Sequence, residues 1–414
     1  MQRSNLLFFI FLIPAFASAL TLNEAFQAAL QKTESVSTAE SQLRGAEARV
    51  SQNRASFLPD ISLKGDYYTQ NQPIGSSTEK DQTASRVNLS QSLLAGGKDR
   101  ASYKSADYLR IAQEYNVVAA KNQLYSDVAR VFYAVLAARA DADNVDKTIE
   151  LLQKRIDELD KLNRVGRSRP IDVLAAKAQI AILESQKVAA VANRRIAKNN
   201  FTDVTGLERD SELVETSTLP TEVPDLHAYL KDLESRPDIQ SLKAQNSSFD
   251  YNVDAASGGH WPSLDLSGNY YLSHSGAPTA TQNRDDWNAT VTLTVPIFSG
   301  GEVSAGVRQA KELKTQSDLA VQKKIRDSEA DVRTAYNNLV SSLEQIKALE
   351  KALAITEQNY RQQEKDYGYR LASNLDVLQA LTSFQDTKRS LDKTRFQAFD
   401  SLAQLRAKTN QIGQ

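Results

Sequence analysis

The chain has 414 residues, with 50 lysines and arginines against 51 aspartates and glutamates, and a net charge of −1. That balance argues against a nucleic-acid binder, which carries a basic surplus. With no cysteine, the chain has neither disulfides nor a lipid anchor on an N-terminal cysteine, so its stability rests on packing alone.

Residues 1–19 read as a secretory signal peptide. Arg3 supplies the positive start, Leu6 to Phe16 is a short apolar core broken by Pro14, and Ala17-Ser18-Ala19 is a small-residue cleavage site. The apolar stretch is too short to span a bilayer core of ~30 Å. The mature chain is expected to begin near Leu20. After that point no apolar run reaches transmembrane-helix length, so any membrane crossing has to be a closed β-barrel.

The first repeat is expected over residues 20–206. Thr21-Leu22-Asn23-Glu24 has the pattern of a capping box and predicts a helix to about Phe57, stopped by Pro59. From Ile61 the period changes to two. Ile61, Leu63, Gly65, Tyr67 and Thr69 share one face, and Ser62, Lys64, Asp66, Tyr68 and Gln70 the other. This predicts a strand over 61–70. A loop follows over 71–84, marked by Pro73 and Gly75. A second strand is expected over 85–94, with Val87, Leu89 and Leu93 on one side, closed by Gly96-Gly97. From Lys98 to Val165 there is no proline and no glycine. Apolar residues recur at alternating spacings of four and three, as in Val145, Ile149, Leu152, Ile156 and Leu159. That is a heptad-like helix over 98–165, ~100 Å long at ~1.5 Å per residue. Gly166 to Pro170 breaks it, and a return helix is expected over 170–205, ended by Gly206.

Residues 207–224 read as a linker, and the second repeat as 225–414. It has a helix near Ala228 to Ala256, strands over 264–273 and 286–297, and a long helix over 302–366. The chain then turns at Gly368 into a return helix over 374–409. The scheme repeats because the sequence does. Pro59, Leu63, Gly65, Tyr67 and Tyr68 recur as Pro262, Leu266, Gly268, Tyr270 and Tyr271. Val87, Leu89, Gly96 and Gly97 recur as Val291, Leu293, Gly300 and Gly301. Asp172-Val173-Leu174 recurs as Asp376-Val377-Leu378. Self-similarity at a fixed offset is a statement about architecture. Two similar halves face similar surroundings.

Each expected strand has roughly the length of a membrane-crossing β-strand, with one apolar and one polar face. Tyr67, Trp261, Tyr270 and Trp287 lie near strand ends, where interfacial aromatics belong. Four strands cannot close a barrel, and open edges are not tolerated in lipid. The chain is therefore expected to lend its strands to a shared barrel. Two copies would give a filled eight-stranded barrel, and three a twelve-stranded one wide enough to conduct. The competing reading of the four strands is a small soluble sandwich.

At this point the sequence resembles the TolC family of outer-membrane efflux ducts, over the whole mature chain. The blocks that carry the resemblance are Leu20-Thr-Leu-Asn-Glu-Ala-Phe, Phe57-Leu-Pro-Asp-Ile-Ser-Leu, His260-Trp-Pro-Ser-Leu-Asp-Leu, Val295-Pro-Ile-Phe-Ser-Gly-Gly and the two Asp-Val-Leu turns. The resemblance implies a mixed α and β membrane protein of two tandem repeats, assembled as a homotrimer. It implies a twelve-stranded β-barrel in the outer membrane, in contact with its lipid and continued by an α-helical barrel into the periplasm. It implies a passive exit duct for efflux or type I secretion that docks with a periplasmic adaptor (membrane fusion) protein and an inner-membrane pump. No cofactor and no enzymatic chemistry are implied.

The resemblance also assigns roles. The turns around Gly166, Arg167, Asp172, Val173 and Leu174, and around Arg370, Leu371, Asp376, Val377 and Leu378, become adaptor-docking tips. Asp376, Arg370 and Tyr367 become the entrance gate. Three copies of Asp376 would form an anionic ring sensitive to pH and cations, with Arg370 as partner. From the residues themselves, Ser373 and Asp376 also fit a helix cap, and Asp172 fits the first turn of a helix, where the macrodipole favours an anion. Both readings stand. Two departures from the family pattern weaken the gate: Gln379 stands where relatives often have an acid, and no glycine shortly precedes Ser373. His227, His260 and His274 show no metal-ligand spacing, and no catalytic constellation can be assembled. The alternative to a duct is a periplasmic coiled-coil adaptor or scaffold without a pore.

Overall fold

A computed structural model describes residues 19–69, 71, 81–208, 211–274 and 286–412. The elements are α1 (Leu22–Lys32), α2 (Glu34–Ala55), β1 (Asp60–Thr69), β2 (Asp81–Ala95), α3 (Lys98–Arg164), α4 (Pro170–Thr205), α5 (Leu226–Leu230), α6 (Pro237–Ser257), β3 (Ser263–His274), β4 (Trp287–Thr294), α7 (Glu302–Gly368) and α8 (Asn374–Lys408). Residues 1–18 of the expected signal peptide and residues 72–80 of the expected first loop lie outside the described residues. The chain divides into two compact units, each drawing on both repeats. A strand unit comprises Ser35–Ala120 and Asp232–Glu329. A turn unit comprises Met1–Glu34, Lys121–Lys231 and Ala330–Gln414.

Several expected boundaries move, each for a local reason. The helix expected from Thr21 to Phe57 is two helices. Thr33 between them is extended (φ −89°, ψ 134°), and its hydroxyl donates to the Val204 carbonyl at 3.2 Å. The helix expected over 228–256 is broken into α5, a 3-10 turn at Leu233–Ser235 and α6. Pro237 opens α6, where its missing N–H costs nothing, and it holds Arg236 out of the helical region (ψ 137°). Strand β2 begins at Asp81 instead of 85, so Asp81 to Ala84 belong to the sheet. Strand β4 stops at Thr294, short of the expected 297.

The strand unit holds one four-stranded antiparallel sheet in the order β1-β2-β3-β4. The register aligns apolar residues across all strands. Leu63 faces Val87, Val87 faces Tyr270, and Tyr270 faces Trp287. In the next row Ile61 faces Leu89 and Leu89 faces Gly268. The opposite face is polar. On it Asn88 donates to Asn269 and Asn269 to Asn288, each at 3.0 Å, and Arg86 pairs with Asp66. A bulge between Ser92 and Leu94 changes the expected alternation. It puts Leu94, not Leu93, opposite Leu264. Among the described residues, the edge strands β1 and β4 each have one side with no strand beside it. Beside the sheet, Ser105 of α3 donates to Asn252 of α6 at 2.8 Å, and Tyr108 stacks on Tyr251 at 5.4 Å.

In the turn unit the α3 heptad stripe is buried. Leu152, Ile156 and Leu159 pack with Val173, Ala176 and Leu183 of α4 and Leu378 and Leu381 of α8. A second layer is aromatic: Phe26 on Tyr125 (5.3 Å), Phe132 on Phe201 (6.5 Å) and Tyr133 on Phe399 (5.6 Å). The linker is tied down. Leu20 N–H donates to Glu212 O at 2.7 Å, Val214 N–H donates to Leu20 O at 3.0 Å, and Leu213 is buried. Among the described residues no helix is long and apolar enough to cross a membrane.

Candidate functional site

The two helix-to-helix turns lie in the turn unit and are built alike. At the end of α3, Arg167 N–H donates to Leu162 O (2.8 Å) and Gly166 N–H to Asn163 O (3.0 Å). At the end of α7, Leu371 N–H donates to Asp366 O (2.8 Å) and Arg370 N–H to Tyr367 O (3.0 Å). Both are Schellman closures, which need one residue in the left-handed region. In the first turn that residue is Gly166 (φ +70°). In the second it is Arg370 (φ +61°). The second turn lacks the glycine of the first, and Arg370 takes up the backbone conformation of Gly166.

Each return helix is then capped by an aspartate. Ser373 donates through its N–H (2.8 Å) and hydroxyl (2.7 Å) to Asp376, and Asp376 N–H donates back to the Ser373 hydroxyl at 3.3 Å. These bonds, the hydroxyl first, hold the Asp376 carboxyl below its ordinary range. Asp172 accepts from Arg169 through N–H (3.2 Å), Nε (3.3 Å) and Nη2 (3.0 Å). The two aspartates look equivalent in the sequence, but Asp172 is buried and Asp376 exposed. The Arg370–Asp376 partnership was expected in a ring of three copies, and a single chain does not contain that ring. Among the described residues no ion pair joins them, and Ser373 takes up the Asp376 carboxylate.

Groups that the sequence analysis missed tie the two turns together. Asn374, fully buried, donates through Nδ2 to the Asp172 carbonyl at 3.0 Å. Arg155 of α3 approaches Asn374 Oδ1 with Nε and Nη2 at 3.4 Å, and its guanidinium lies 4.2 Å from the centroid of the Tyr367 ring. Tyr367 donates through its hydroxyl to Ser168 at 3.3 Å. Tyr367, expected in the gate, is thus packed between the turns.

Of the expected docking residues, Gly166, Arg167, Leu174, Arg370, Leu371 and Asp376 are exposed. Val173, Val377 and Leu378 are not. They are buried in this chain, Val173 and Leu378 in the apolar cluster with Leu159, so they support the turns and present nothing to a partner. The exposed apolar residues there are Val165, Ile171, Leu174, Tyr369, Leu371 and Leu375. The duplication could have revealed these, since Val165 matches Tyr369 and Ile171 matches Leu375 at the same offset of 204. Among the described residues no group of carboxylates, histidines or cysteines is arranged to hold a metal.

In the strand unit, the four expected interface aromatics Tyr67, Trp261, Tyr270 and Trp287 are all exposed. Trp287 opens β4 and faces Tyr270, four residues before the end of β3, and Trp261 lies just before the start of β3. The sequence matches the profile described as "Outer membrane efflux protein" twice, over residues 25–207 and 229–411. The chain belongs to the outer membrane efflux protein family. The two matches coincide with the two copies of the internal repeat. The chain is similar to the outer membrane protein TolC of Vibrio cholerae, at 24% identity over 95% of this chain and 94% of that protein. It is also similar to the proteases secretion protein PrtF of Dickeya chrysanthemi, at 22% identity over 94% and 88%. The fold matches the solved structure of the outer membrane protein VceC from Vibrio cholerae, with a TM-score of 0.81 at 20% identity, over 94% of this chain and 95% of that one. This outer membrane efflux protein is accordingly an outer-membrane channel protein of the efflux and secretion type. Its exposed apolar sheet face is the surface a membrane protein without a crossing helix needs.

Proposed function

We propose that three copies of this chain form a passive exit duct across the outer membrane, serving efflux or type I secretion. The observation that carries this reading is the sheet: one face apolar and exposed, the other polar, and two open edges. An unpaired edge exposes backbone N–H and C=O groups, each worth several kcal/mol when unsatisfied in lipid. Closure between copies removes that penalty. Three copies give twelve strands around a polar lumen. The second exposed apolar stripe of α4, running through Leu174, Ile182, Val188 and Ile196, supports the same reading, because a helix in a closed helical barrel needs two apolar seams.

The two turns are the docking surface for a periplasmic adaptor, itself joined to an inner-membrane pump. Their exposed apolar residues, Val165, Ile171, Leu371 and Leu375, are the contacts. Arg155, Asn374 and Tyr367 hold the turns in one arrangement, and Asp376 with Arg370 lines the entrance. Conductance of the purified protein in planar lipid bilayers tests the pore, with mass measurement in detergent. A trimer that conducts ions is expected. A non-conducting monomer would remove the reading. Photo-cross-linking from position 371 or 375 in cells tests docking, and the expected product is a covalent adduct with a periplasmic adaptor.

A further inference from the structure

The internal duplication and the observed sheet together specify how one copy meets the next. This inference rests on the proposal that copies share a barrel, and it adds the residue-level register. Strands β2 and β3 belong to different repeats, so their joint is a repeat-to-repeat contact already made inside one chain. It pairs Val87 with Tyr270, Leu89 with Gly268, Ser90 with Ser267 and Gln91 with Leu266, then bulges at Leu93 and resumes with Leu94 opposite Leu264. The open edges are β4, the second-repeat counterpart of β2, and β1, the first-repeat counterpart of β3. We propose that β4 of one copy pairs with β1 of the next in the same register. Val291 then faces Tyr67, Leu293 faces Gly65, Thr294 faces Lys64 and Val295 faces Leu63. Ile297 takes the bulge, and Phe298 lies opposite Ile61.

Three observations support this register. The first is hydrogen-bond phase. Tyr271 N–H donates to Asp286 O, so the odd-numbered residues of β3 turn their backbone groups to β4 and the even-numbered ones to β2. Carried across the sheet, this alternation leaves Ile61, Leu63, Gly65 and Tyr67 aimed out of the β1 edge, and Val291 and Leu293 out of the β4 edge. These are the residues the proposed register pairs. A slip of one residue would set apolar against polar faces and misphase every bond. The second observation is Pro296. It stands where Ser92 stands in the observed joint, at a position whose amide turns away from the partner. On its other side β3 begins only at Ser263, already paired with Thr294. The proline therefore costs no ladder bond.

The third observation is an empty contact. Gly96 and Gly97 (φ +59° and +82°) and Gly300 and Gly301 (φ +64° and +85°) have matching backbone conformations. A Cβ on Gly96 would meet the Gly258 carbonyl oxygen at 2.2 Å, whereas a Cβ on Gly300 would meet nothing within 4 Å. The first-repeat glycine is packed against the second repeat, and its duplicate has no such neighbour among the described residues of one chain. Ile297 and Phe298, beside it, are the most exposed large apolar side chains among the described residues, at 96% and 88%. The surface equivalent to Gly258 and Trp261 is Ala55 and Leu58, both exposed, and the next copy supplies it.

The chain has no cysteine, so paired cysteines read the register on a clean background. Thr294→Cys with Lys64→Cys should form disulfide-linked trimers in outer-membrane fractions, reverting to monomers on reduction. Within one copy these positions lie at opposite edges of the sheet and on different rows, Lys64 level with Arg86 and Tyr271 and Thr294 level with Ser263, so they are separated by more than the ~14 Å of three strand spacings at ~4.8 Å each, beyond the ~7 Å limit for a disulfide. Thr294→Cys with Ser62→Cys, or with Asp66→Cys, samples slips of two residues and should link at least tenfold less. Linkage of either slipped pair in preference to the first overturns the register. So does failure of all three pairs when the cysteine-free parent is an oligomer in detergent. A monomeric parent would instead overturn the shared-barrel reading beneath it.

Discussion

Arg370 offers a test in which the protein supplies its own control. Gly166 and Arg370 close the same hydrogen-bonded turn with φ of +70° and +61°, one with the residue suited to that conformation and one without. A left-handed backbone costs a residue with a Cβ ~1–2 kcal/mol. Glycine gives back ~0.5–1 kcal/mol through the greater freedom of its unfolded chain. Arg370→Gly should therefore stabilise the second turn by about 0.5–1 kcal/mol, and Gly166→Arg should destabilise the first by a similar amount. No neighbour complicates the second figure, because a Cβ at Gly166 meets nothing within 4 Å. The assay is local. Amide exchange of peptides covering 362–372 should slow by roughly two- to fivefold in Arg370→Gly, and exchange over 158–168 should quicken in Gly166→Arg. Unchanged exchange in both variants would show that the left-handed residue is not under strain. A strained residue at a turn proposed to dock a partner points to a use for its side chain there. Arg370→Gly is accordingly expected to lose export while the turn gains stability.

Three further outcomes follow from contacts at the turns and under the sheet. Asn374→Ala removes a buried 3.0 Å hydrogen bond to the Asp172 carbonyl and should cost about 1–2 kcal/mol, seen as faster exchange in both turns at once. Gly96→Ala puts a methyl 2.2 Å from the Gly258 oxygen and should lower the yield of folded chain in membrane fractions. Gly97→Ala meets nothing within 4 Å and should cost only the ~1 kcal/mol of its backbone conformation. The Asp376 carboxyl is held below its ordinary range by Ser373, so its contribution to the α8 cap is complete above the unfolded value, roughly pH 4, and is lost as pH falls through the lower folded value. Exchange over the first turn of α8 should quicken below about pH 4, and Ser373→Ala should remove that dependence.

The long helices were legible because their signals are redundant. Over α3, no glycine or proline interrupts a four-and-three apolar pattern, and Gly166 and Pro170 mark the turn after it. The break at Thr33 carried no such signal, since the Thr33 hydroxyl reaches Val204, a partner 171 residues away. Asn374 was hidden for the same reason. Locally it is the residue after a cap, and its meaning lies in the Asp172 carbonyl 202 residues distant. Leu93 was assigned to the apolar face because alternation was carried through a bulge that only strand pairing reveals. Asp172 and Asp376 share a motif, yet Arg169 covers one and solvent reaches the other. Motif identity gave the cap and could not give the exposure.

The duplication makes a stronger distinction possible than either repeat would alone. Each joint of a closed ring occurs in two versions, one made within a chain and one made between chains. Gly96 against Gly258 is the first kind, and in the proposed ring Gly300 against Ala55 of a neighbouring copy is the second. The linker over 207–224 raises the local concentration of repeats only for the first kind. Perturbing Gly96 should therefore impair the folding of one chain at any concentration. Perturbing Gly300 costs the single chain the strain of a left-handed backbone (φ +64°), which Gly96 shares, but no clash inside the chain; its further defect should lie in assembly and depend on concentration. If Gly96→Val and Gly300→Val instead gave the same defect at every dilution, the two joints would not differ in molecularity, and the assignment of one to the inside of the chain and the other to its boundary would fail.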